Sequence, residues 1–233
     1  MKGPVLSSDM QSVAISPEPD DHNVIVLLDL LNSEEEAIQV RFVNIPQTIQ
    51  HDCFENVKKI IEKASGRTQL GWLIVKTDIN YEAIAHAVWE APNSPDDFAD
   101  VTPYRGLTSQ WRTFVPDDRM IDTGRFMPSV RYCHTGKATH EDYILLADTR
   151  DLVETLYLYS PLGFLIGPPS AGKAKVKLNA GFGKEFLLKM GAVSKSGNCY
   201  CNSGKKYVDC HRLIIRDQLN EIRTELNFQL IRS

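Results

Sequence analysis

The chain has 233 residues, of which 42% are hydrophobic and 24% are charged, a composition typical of globular proteins. Its apolar runs are too short to span a bilayer, which excludes a membrane-spanning protein. The N-terminal stretch also lacks an apolar core of signal-peptide length, so we expect a cytoplasmic protein. Five cysteines, an odd number, argue against a disulfide framework.

The net charge of −4 conceals an uneven distribution along the chain. Residues 173–233 contain 12 Lys and Arg against 5 Asp and Glu, a balance of +7. Residues 1–172 contain the remaining 14 and 25, a balance of −11. The basic tail predicts contact with RNA, the ribosome or an acidic protein surface, and a solvated lysine-rich linker is the alternative.

The first half of the chain is expected to consist mainly of strands. Residues 1–22 predict a flexible arm, and residues 51–66 predict a helix with Asp52 as N-cap, Glu55 in a capping-box position and Gly66 as its stop. Apolar or alternating stretches predict five strands, at 23–31, 37–45, 70–77, 82–91 and 98–103.

The second half is less regular. Glycine and proline interrupt residues 104–140, which predict no definite element. Residues 140–160 have enough apolar side chains for one strand and one helix, in undecided order. An amphipathic helix is predicted within 213–231 because apolar residues recur at helical spacing, at Ile215, Leu219, Ile222, Leu226 and Leu230.

These elements divide the chain into four parts. The flexible arm is followed by an α+β core, then by a basic joint rich in Pro, Gly and Lys, and finally by a cysteine-rich knuckle with its helix. The predicted boundaries of the four parts are 1–22, 23–165, 166–195 and 196–233.

The knuckle contains four potential metal ligands in the stretch "CYCNSGKKYVDCH". Three cysteines and one histidine suit the tetrahedral coordination of zinc, and a Gly-containing loop allows the two close pairs of ligands to meet. A fully protein-ligated zinc has no open position for a water, so its role is expected to be structural. The predicted ligands are Cys199, Cys201, Cys210 and His211, with reduced, unliganded thiols as the alternative.

This stretch resembles the SEC-C motif, C-P-C-x-S-G-K-K-Y-x-x-C-H/C, which is the zinc-binding tail of the preprotein translocase motor and of many bacterial proteins. Tyr200 stands at the usual proline position. The resemblance covers about residues 196–212. It implies one structural zinc ion and a docking role toward a partner protein or the ribosome, with Lys205 and Lys206 facing the partner.

A second candidate site centres on Cys53, at the start of the first predicted helix. A helix N-terminus stabilises a thiolate through its free N–H groups and its dipole. His86 falls within a predicted strand, and Asp100 lies on or just after the next one. A thiol nucleophile, a histidine base and an acid that orients the histidine are the groups that thiol-dependent acyl transfer needs.

The segments "CFENV", "HAVWE" and "DVTP" resemble transglutaminase-like and papain-like cysteine enzymes over about residues 45–105. The resemblance implies Cys53 as nucleophile, His86 as base and Asp100 as the orienting group. It places Gln47, with the backbone N–H of Cys53, at the oxyanion position. It also implies an α+β fold in which the Cys-bearing helix packs on an antiparallel sheet.

Structural interpretations of the same residues remain open. A cysteine at a helix start is commonly a packing residue, a strand histidine is commonly a satisfied core residue, and Asp100 can simply begin a turn. Gln50 is a nearer oxyanion donor without a family precedent, and Glu82 is a second candidate acidic partner. Asp78 and Glu90 are expected to be solvated.

Two other patterns carry weaker chemistry. Residues 167–174 match the front of a phosphate-binding loop, but Ala174 replaces the Ser or Thr that holds magnesium. Two prolines also remove backbone donors, and the residues that follow predict no helix. The second pattern is a group of three ligand-type residues without a clear fourth, namely Cys133, His134 and His140.

The sequence therefore favours a papain-like or transglutaminase-like cysteine hydrolase or acyltransferase that acts on an amide. Its zinc-knuckle tail would dock it to a protein, the ribosome or RNA. A non-enzymatic adaptor that uses the same tail is the alternative. The residues do not choose among a peptide bond, a glutamine side chain and another amide as substrate.

Overall fold

The computed structural model describes residues 14–92, 94, 96–159, 165–180 and 182–230. Within them the chain forms two compact units. The first contains the chain up to Tyr81 together with His86–Met120, and the second contains Glu82–Ala85 and the chain from Ile121 onward. Residues 23–165, expected to form one core, therefore contribute to both units.

The first unit contains two helices and five strands. The strands are ordered β2-β5-β1-β4-β3, and a further pairing of β2 with β3 closes them into a five-stranded barrel. The elements are α1 His22–Leu31, β1 Ile38–Phe42, α2 Cys53–Ala64, β2 Arg67–Lys76, β3 Asn80–Glu90, β4 Phe98–Asp100 and β5 Trp111–Pro116. Within β3, Glu82–Ala85 are counted with the second unit.

The predicted antiparallel sheet is wrong, because the barrel mixes parallel and antiparallel pairs. Strand β1 runs parallel to β4, with Arg41 opposite Ala99, and antiparallel to β5, with Ile38 opposite Phe114. Between β1 and β4 the chain inserts α2, β2 and β3, a crossover long enough for parallel pairing. Apolar alternation identifies strands but does not identify their neighbours, so the closure was not predictable.

The predicted strand at 23–31 is also wrong, since these residues form α1. The Asp21 side chain accepts a hydrogen bond from the backbone N–H of Asn23 at 2.9 Å, which caps the helix start. Asn32, in the left-handed conformation with φ 47°, ends the helix. A short apolar run is compatible with a helix or a strand, and these two caps select the helix.

Helix α2 forms where a helix was predicted, and its first residue joins a small core. Cys53 and Val57 are buried with Ala87 of β3 and with Val101. Gly66 follows the helix with φ 98°, and a Cβ there would lie 2.3 Å from a Glu90 carbonyl oxygen. Only glycine satisfies both conditions, so Gly66 fixes the sharp turn into β2.

The described part of the expected N-terminal arm is attached to the first unit. The N–H of Ile15 donates to the carbonyl of Lys76 at 2.9 Å, and Ala14 forms a β-bridge with Leu107. Residues 1–13 of the predicted arm lie outside the described residues.

The second unit is mainly helical, with α3 packed against α4, α5 and α6. The predicted C-terminal helix is confirmed, because α6 buries Ile215, Leu219, Ile222 and Leu226; the side chain of Leu230 lies outside the described part. The elements are β6 Val130–Cys133, α3 Ala138–Glu154, β7 Leu158–Tyr159, β8 Leu165–Ile166, α4 Pro169–Asn179, α5 Phe182–Gly191, a 3₁₀ turn Tyr207–Asp209 and α6 His211–Leu230.

The residues that follow the phosphate-loop pattern at 167–174 were expected to form no helix, but they belong to α4. Pro169 occupies the first helical position, where its missing N–H costs nothing. Ala171, Ala174 and Leu178 form its buried face. This apolar stripe is short and consists mainly of alanine, and Lys and Gly residues surround it in the sequence. Its helical spacing was therefore not recognised.

None of the helices in the described part of the chain combines the length and apolar composition that crossing a membrane requires.

Strands β2 and β5 lie so close together at Gly71 that we expect a larger side chain there to destabilise the protein. A Cβ there would come within 2.1 Å of the Val115 carbonyl oxygen. We expect Gly71→Ala to lower the free energy of unfolding by about 1–3 kcal/mol, because the backbone must shift. Thr68→Ala, on the same strand but exposed, is the control and should change it by less than about 0.5 kcal/mol. Equal urea midpoints for the two variants would contradict the expectation.

Candidate thiol site and metal centre

The first candidate site lies in the first unit and contains three of the four residues predicted to be catalytic. Nε2 of His86 lies 3.0 Å from Oδ1 of Asp100. Their side chains are 5% and 0% exposed. Cys53, the first residue of α2, is buried, and its thiol is among the groups that raise the pKa of the His86 ring. Residues from one helix and two strands thus converge.

The charge of His86 follows from these contacts. Burial by itself lowers the pKa of the ring, since the imidazolium loses its hydration. The Asp100 carboxylate and the Cys53 thiol outweigh burial and raise the pKa of His86 to about 10. At neutral pH the ring is therefore a cation whose Nε2–H donates to Asp100.

Asp100 is held from several directions. Its Oδ1 also accepts a hydrogen bond from the backbone N–H of Thr102 at 2.9 Å. On the other side, Nη1 of Arg112 lies 3.7 Å from Oδ2, and neither of these two atoms has a hydrogen-bond partner. Asp100 is thus a fully buried carboxylate with a cation on each side.

Arg112 is itself fixed within the barrel. Its Nη2 and Nε donate to the carbonyls of Leu107 at 3.3 Å and of Ser109 at 3.2 Å, and its guanidinium lies 4.5 Å from the ring centroid of Phe42. Burial lowers the pKa of Arg112, and attraction to Asp100 opposes this effect. The side chain therefore cannot leave the Asp100 carboxylate without breaking several contacts.

Asn56 fixes the loop that leads into Cys53. Its Nδ2 donates to the Ile49 carbonyl at 2.7 Å, and its Oδ1 accepts from the Ile49 N–H at 2.8 Å. Nδ2 also lies 3.2 Å from Oγ1 of Thr102. Because Asn56 is fully buried, these bonds tie the loop, α2 and the segment after Asp100 to one another.

The start of α2 carries no side-chain cap. Asp52 occupies the N-cap position, but its carboxylate makes no capping hydrogen bond, so the predicted capping box does not form. The first intrahelical bond runs from the Asn56 N–H to the Asp52 carbonyl at 2.9 Å. The N–H groups that precede Asn56 in the first turn are consequently free of a side-chain cap.

The fourth predicted catalytic residue, Gln47, is exposed in the loop before α2. Its backbone is in the left-handed region, with φ 74°. No hydrogen bond of the described residues joins its side chain to the buried Cys53, His86 and Asp100. Gln50, the alternative donor, is exposed as well.

The other acidic candidates lie elsewhere. Glu82 belongs to the second unit, where Nη2 of Arg131 lies 2.7 Å from its Oε1. Glu90, expected to be solvated, is instead 2% exposed, and its Oε1 accepts a hydrogen bond from Arg67 at 2.8 Å. Its pKa is lowered mainly by that bond. Asp78 is exposed, as predicted.

The residues that support the thiol site were not predicted from the sequence. Asn56 was detectable, because it is the polar member of the buried stripe formed by Cys53, Asn56 and Val57. Arg112 gave no local signal, since its partner Asp100 belongs to another strand of the barrel.

The second candidate site is the group of four potential metal ligands in the second unit, Cys199, Cys201, Cys210 and His211. Its four ligand atoms lie within 4.8 Å of one another, and the group can hold a metal ion. The Sγ atoms of Cys201 and Cys210 are 3.7 Å apart. This is far longer than a disulfide bond of about 2.05 Å and equals, within about 0.1 Å, the edge of a tetrahedron with metal–sulfur bonds of about 2.3 Å. Nδ1 of His211 lies 3.2 Å from Cys199 Sγ and 3.4 Å from Cys210 Sγ.

A short hairpin brings the ligands together. The N–H of Cys199 donates to the Lys205 carbonyl at 2.8 Å, and the N–H of Tyr207 donates to the Gly197 carbonyl at 2.9 Å. Gly204 turns the hairpin with φ 75°. Hydrogen bonds from Ser203 lower the pKa of the Cys201 thiol to about 6.

The cluster is anchored in the core of the second unit. Tyr207 is fully buried, and its hydroxyl donates to Oδ2 of Asp142 in α3 at 2.8 Å. Nε of Arg216 in α6 donates to Oδ1 of the same carboxylate at 2.7 Å. Cys199 is buried in the same hydrophobic core. The knuckle is thus part of a packed unit.

The weaker group of potential ligands forms a different arrangement. Sγ of Cys133 lies 3.5 Å from Oγ1 of Thr135, which in turn lies 2.8 Å from Nδ1 of His140. Nε2 of His140 lies 3.1 Å from the Lys189 carbonyl. Both ring nitrogens are therefore engaged by the protein, and within the described residues the knuckle alone forms a metal-type cluster.

The raised pKa of His86 predicts that stability depends on pH. An unfolded histidine titrates near 6.5 and this one titrates near 10 in the folded chain, so folding takes up a proton between these values. Its stabilisation is fully present below about pH 6.5 and is lost as the pH rises through about 10. We expect urea titrations to show a free energy of unfolding that falls over this range.

Two variants make this expectation specific. His86→Gln removes the titrating ring and should make the fall with pH shallower. Asp100→Asn keeps the ring but removes its neighbouring charge, so nuclear magnetic resonance should detect a lower His86 pKa. A wild-type slope retained in His86→Gln would show that the fall belongs to other groups.

Comparisons with known proteins identify no relative of the chain. No family model, curated protein or solved structure matches the chain. The resemblances to the SEC-C tail and to papain-like and transglutaminase-like enzymes therefore rest on the residues quoted above, and the function has to be argued from the geometry of the two sites.

Proposed function

We propose that the chain is a cysteine-dependent amide hydrolase or acyltransferase. The observation that carries the proposal is the buried His86–Asp100 pair, with 3.0 Å between Nε2 and Oδ1, beside a thiol at the start of α2. Cys53 lies at the N-terminus of α2, and a helix N-terminus and a neighbouring imidazolium are two features that activate thiol nucleophiles. Asp100 sets the orientation and the charge of the ring.

The reaction uses these groups in two steps. The Cys53 thiolate attacks the amide carbonyl carbon, a sulfur–carbon bond forms, and the amine leaves with a proton donated by His86. His86 then takes a proton from water, or from an acceptor amine, which attacks the thioester and releases Cys53. The uncapped N–H of Cys53 supports the developing oxyanion, and Gln47 is the proposed second donor.

Selective alkylation tests this assignment. We expect iodoacetamide at pH 6–7 to label Cys53 at least about tenfold faster in the wild type than in His86→Ala, because ordinary thiols with a pKa near 8.5 are mostly protonated there. Peptide mass spectrometry locates the label. Cys133→Ala, which removes a thiol outside the site, is the matched control and should leave the Cys53 rate unchanged.

The alternative function is a non-enzymatic adaptor that binds a protein, the ribosome or RNA through the metal-bearing hairpin. Lys205 and Lys206, both exposed on that hairpin, favour it. In this case Cys53 has a packing role, and its alkylation should be slow and insensitive to His86→Ala. That outcome would overturn the enzymatic proposal.

We also propose that the metal is a single structural zinc ion. A Cys₃His donor set and a 3.7 Å sulfur–sulfur spacing suit tetrahedral zinc, and four protein ligands leave no open position for catalysis. The ion would hold the hairpin against the first turn of α6. Because Tyr207 and Cys199 belong to the core, the metal would stabilise the whole second unit.

Metal analysis tests the zinc proposal. We expect about one equivalent of zinc in the reduced protein and a clear loss of it in Cys201→Ser, which removes an exposed ligand with little effect on packing. Cys133→Ser is the control and should retain the ion. A reduced, folded sample without zinc would contradict the proposal.

A further inference from the structure

Arg112 is a buried guanidinium that the two reaction steps do not use. It belongs to β5, its side chain is 1% exposed, and its Nη1 lies 3.7 Å from Oδ2 of Asp100. Asp100 and the protonated His86 ring already balance each other's charge, so Arg112 leaves this buried group with one positive charge in excess. Removing such a charge from water is costly, and the neutrality of the His86–Asp100 pair does not require it.

The two oxygens of Asp100 face different cations. Oδ1 lies 3.0 Å from Nε2 of His86 and accepts a hydrogen bond from the Thr102 N–H at 2.9 Å. Oδ2 faces Arg112 and accepts no hydrogen bond within the described residues. The ring and the guanidinium thus compete for one negative charge. Arg112 therefore opposes the attraction that Asp100 exerts on the protonated ring.

Arg112 is held in this position by groups outside the His86–Asp100 pair. Its Nη2 donates to the Leu107 carbonyl at 3.3 Å, and its Nε donates to the Ser109 carbonyl at 3.2 Å. The guanidinium carbon also lies 4.5 Å from the ring centroid of Phe42. These contacts keep the cation near Asp100 without a hydrogen bond to it, so its influence on the pair is electrostatic.

The acylation step needs an imidazolium that can release its proton. Burial lowers the pKa of His86, but the interactions with Asp100 and Cys53 raise it to about 10. A general acid works best when its pKa lies near the operating pH, and an imidazolium that holds its proton too firmly is a weak donor. A neighbouring cation lowers the pKa of a histidine. His51, in the loop before α2, is the other titratable group that interacts with His86.

We propose that Arg112 is a positioning residue of the thiol site, whose guanidinium opposes the hold of Asp100 on the His86 imidazolium and thereby allows the ring to release its proton. In the acylation step the ring N–H bond breaks, the leaving amine takes the proton, and the ring keeps the electron pair. Asp100 and Arg112 remain charged throughout. This inference rests on the proposed function, because it assigns Arg112 to a proton transfer that the same reaction requires.

Nuclear magnetic resonance of the His86 ring tests this role. We expect Arg112→Gln to raise the pKa of His86 by about one pH unit, because the carboxylate then attracts the ring without a competing cation. At the pH where the wild-type ring is half protonated, the ring of this variant would be about nine-tenths protonated. Arg41→Gln, which removes an exposed arginine from β1, is the matched control and should change the pKa of His86 by less than about 0.2 pH units.

Arg112→Lys separates the charge of the side chain from its packing. A lysine keeps the cation but lacks the planar fork that binds the Leu107 and Ser109 carbonyls together. We expect a lower urea midpoint and a His86 pKa within about 0.3 pH units of the wild type. A purely structural role predicts no link between the charge at this position and His86. The same His86 pKa in Arg112→Gln and Arg112→Lys would therefore overturn the proposal.

A second background keeps the test decisive if Arg112→Gln does not fold. Asp100→Asn removes the buried carboxylate, so the further change Arg112→Gln leaves no buried carboxylate without its cation. We expect the double variant to have a higher His86 pKa than Asp100→Asn alone, since the neighbouring cation is gone. Equal values in these two variants would also overturn the role of Arg112.

Alkylation of Cys53 distinguishes failure of this inference from failure of the enzyme proposal. Rapid labelling of wild-type Cys53 by iodoacetamide, with a His86 pKa that does not respond to Arg112→Gln, overturns the role of Arg112 and leaves the enzyme proposal standing. Slow labelling overturns both, because no proton transfer then remains for Arg112 to assist. A His86 pKa that changes equally in Arg41→Gln would reduce the effect to the net charge of the unit and overturn the inference.

Discussion

The buried carboxylate of Asp100 is the interaction on which the first unit depends. A charge that is removed from water is costly unless other groups compensate it. Here the compensation comes from His86 on β3, the backbone N–H of Thr102 and Arg112 on β5. These groups reach Asp100 only when the strands close around it, so closure of the barrel and placement of the His86 ring are one requirement.

The residues that meet at the thiol site were predictable from the sequence, whereas the architecture around them was not. The order of Cys53, His86 and Asp100, and their positions on one helix and two strands, follow from local patterns. Their environment depends on pairings between distant segments, such as the parallel contact of β1 with β4. Periodicity shows which face of a strand is buried but not which strand lies beside it, and Arg112 remained hidden for this reason.

For the four potential metal ligands, the sequence predicted the arrangement but not the way it is attached to the rest of the unit. Its ligands fall within thirteen consecutive residues, so a local hairpin is enough to assemble them and their spacing predicted the cluster. What the spacing did not predict is the attachment. The Tyr207 hydroxyl and the Arg216 guanidinium share the Asp142 carboxylate, which joins the hairpin, α3 and α6. Loss of a metal from this site would therefore be expected to disturb the packing of the helical core and not only the hairpin.

The start of α2 lacks stabilising interactions that its residues around Cys53 could form. Asp52 and Glu55 offer a capping box, and an N-cap side chain typically contributes about 1 kcal/mol. The structure leaves this cap unformed and keeps two residues of the preceding loop in the left-handed region. Asn56 offsets part of this cost by binding both backbone groups of Ile49. The first turn of α2 therefore keeps N–H groups without a side-chain cap, as the proposed oxyanion role of the Cys53 N–H requires.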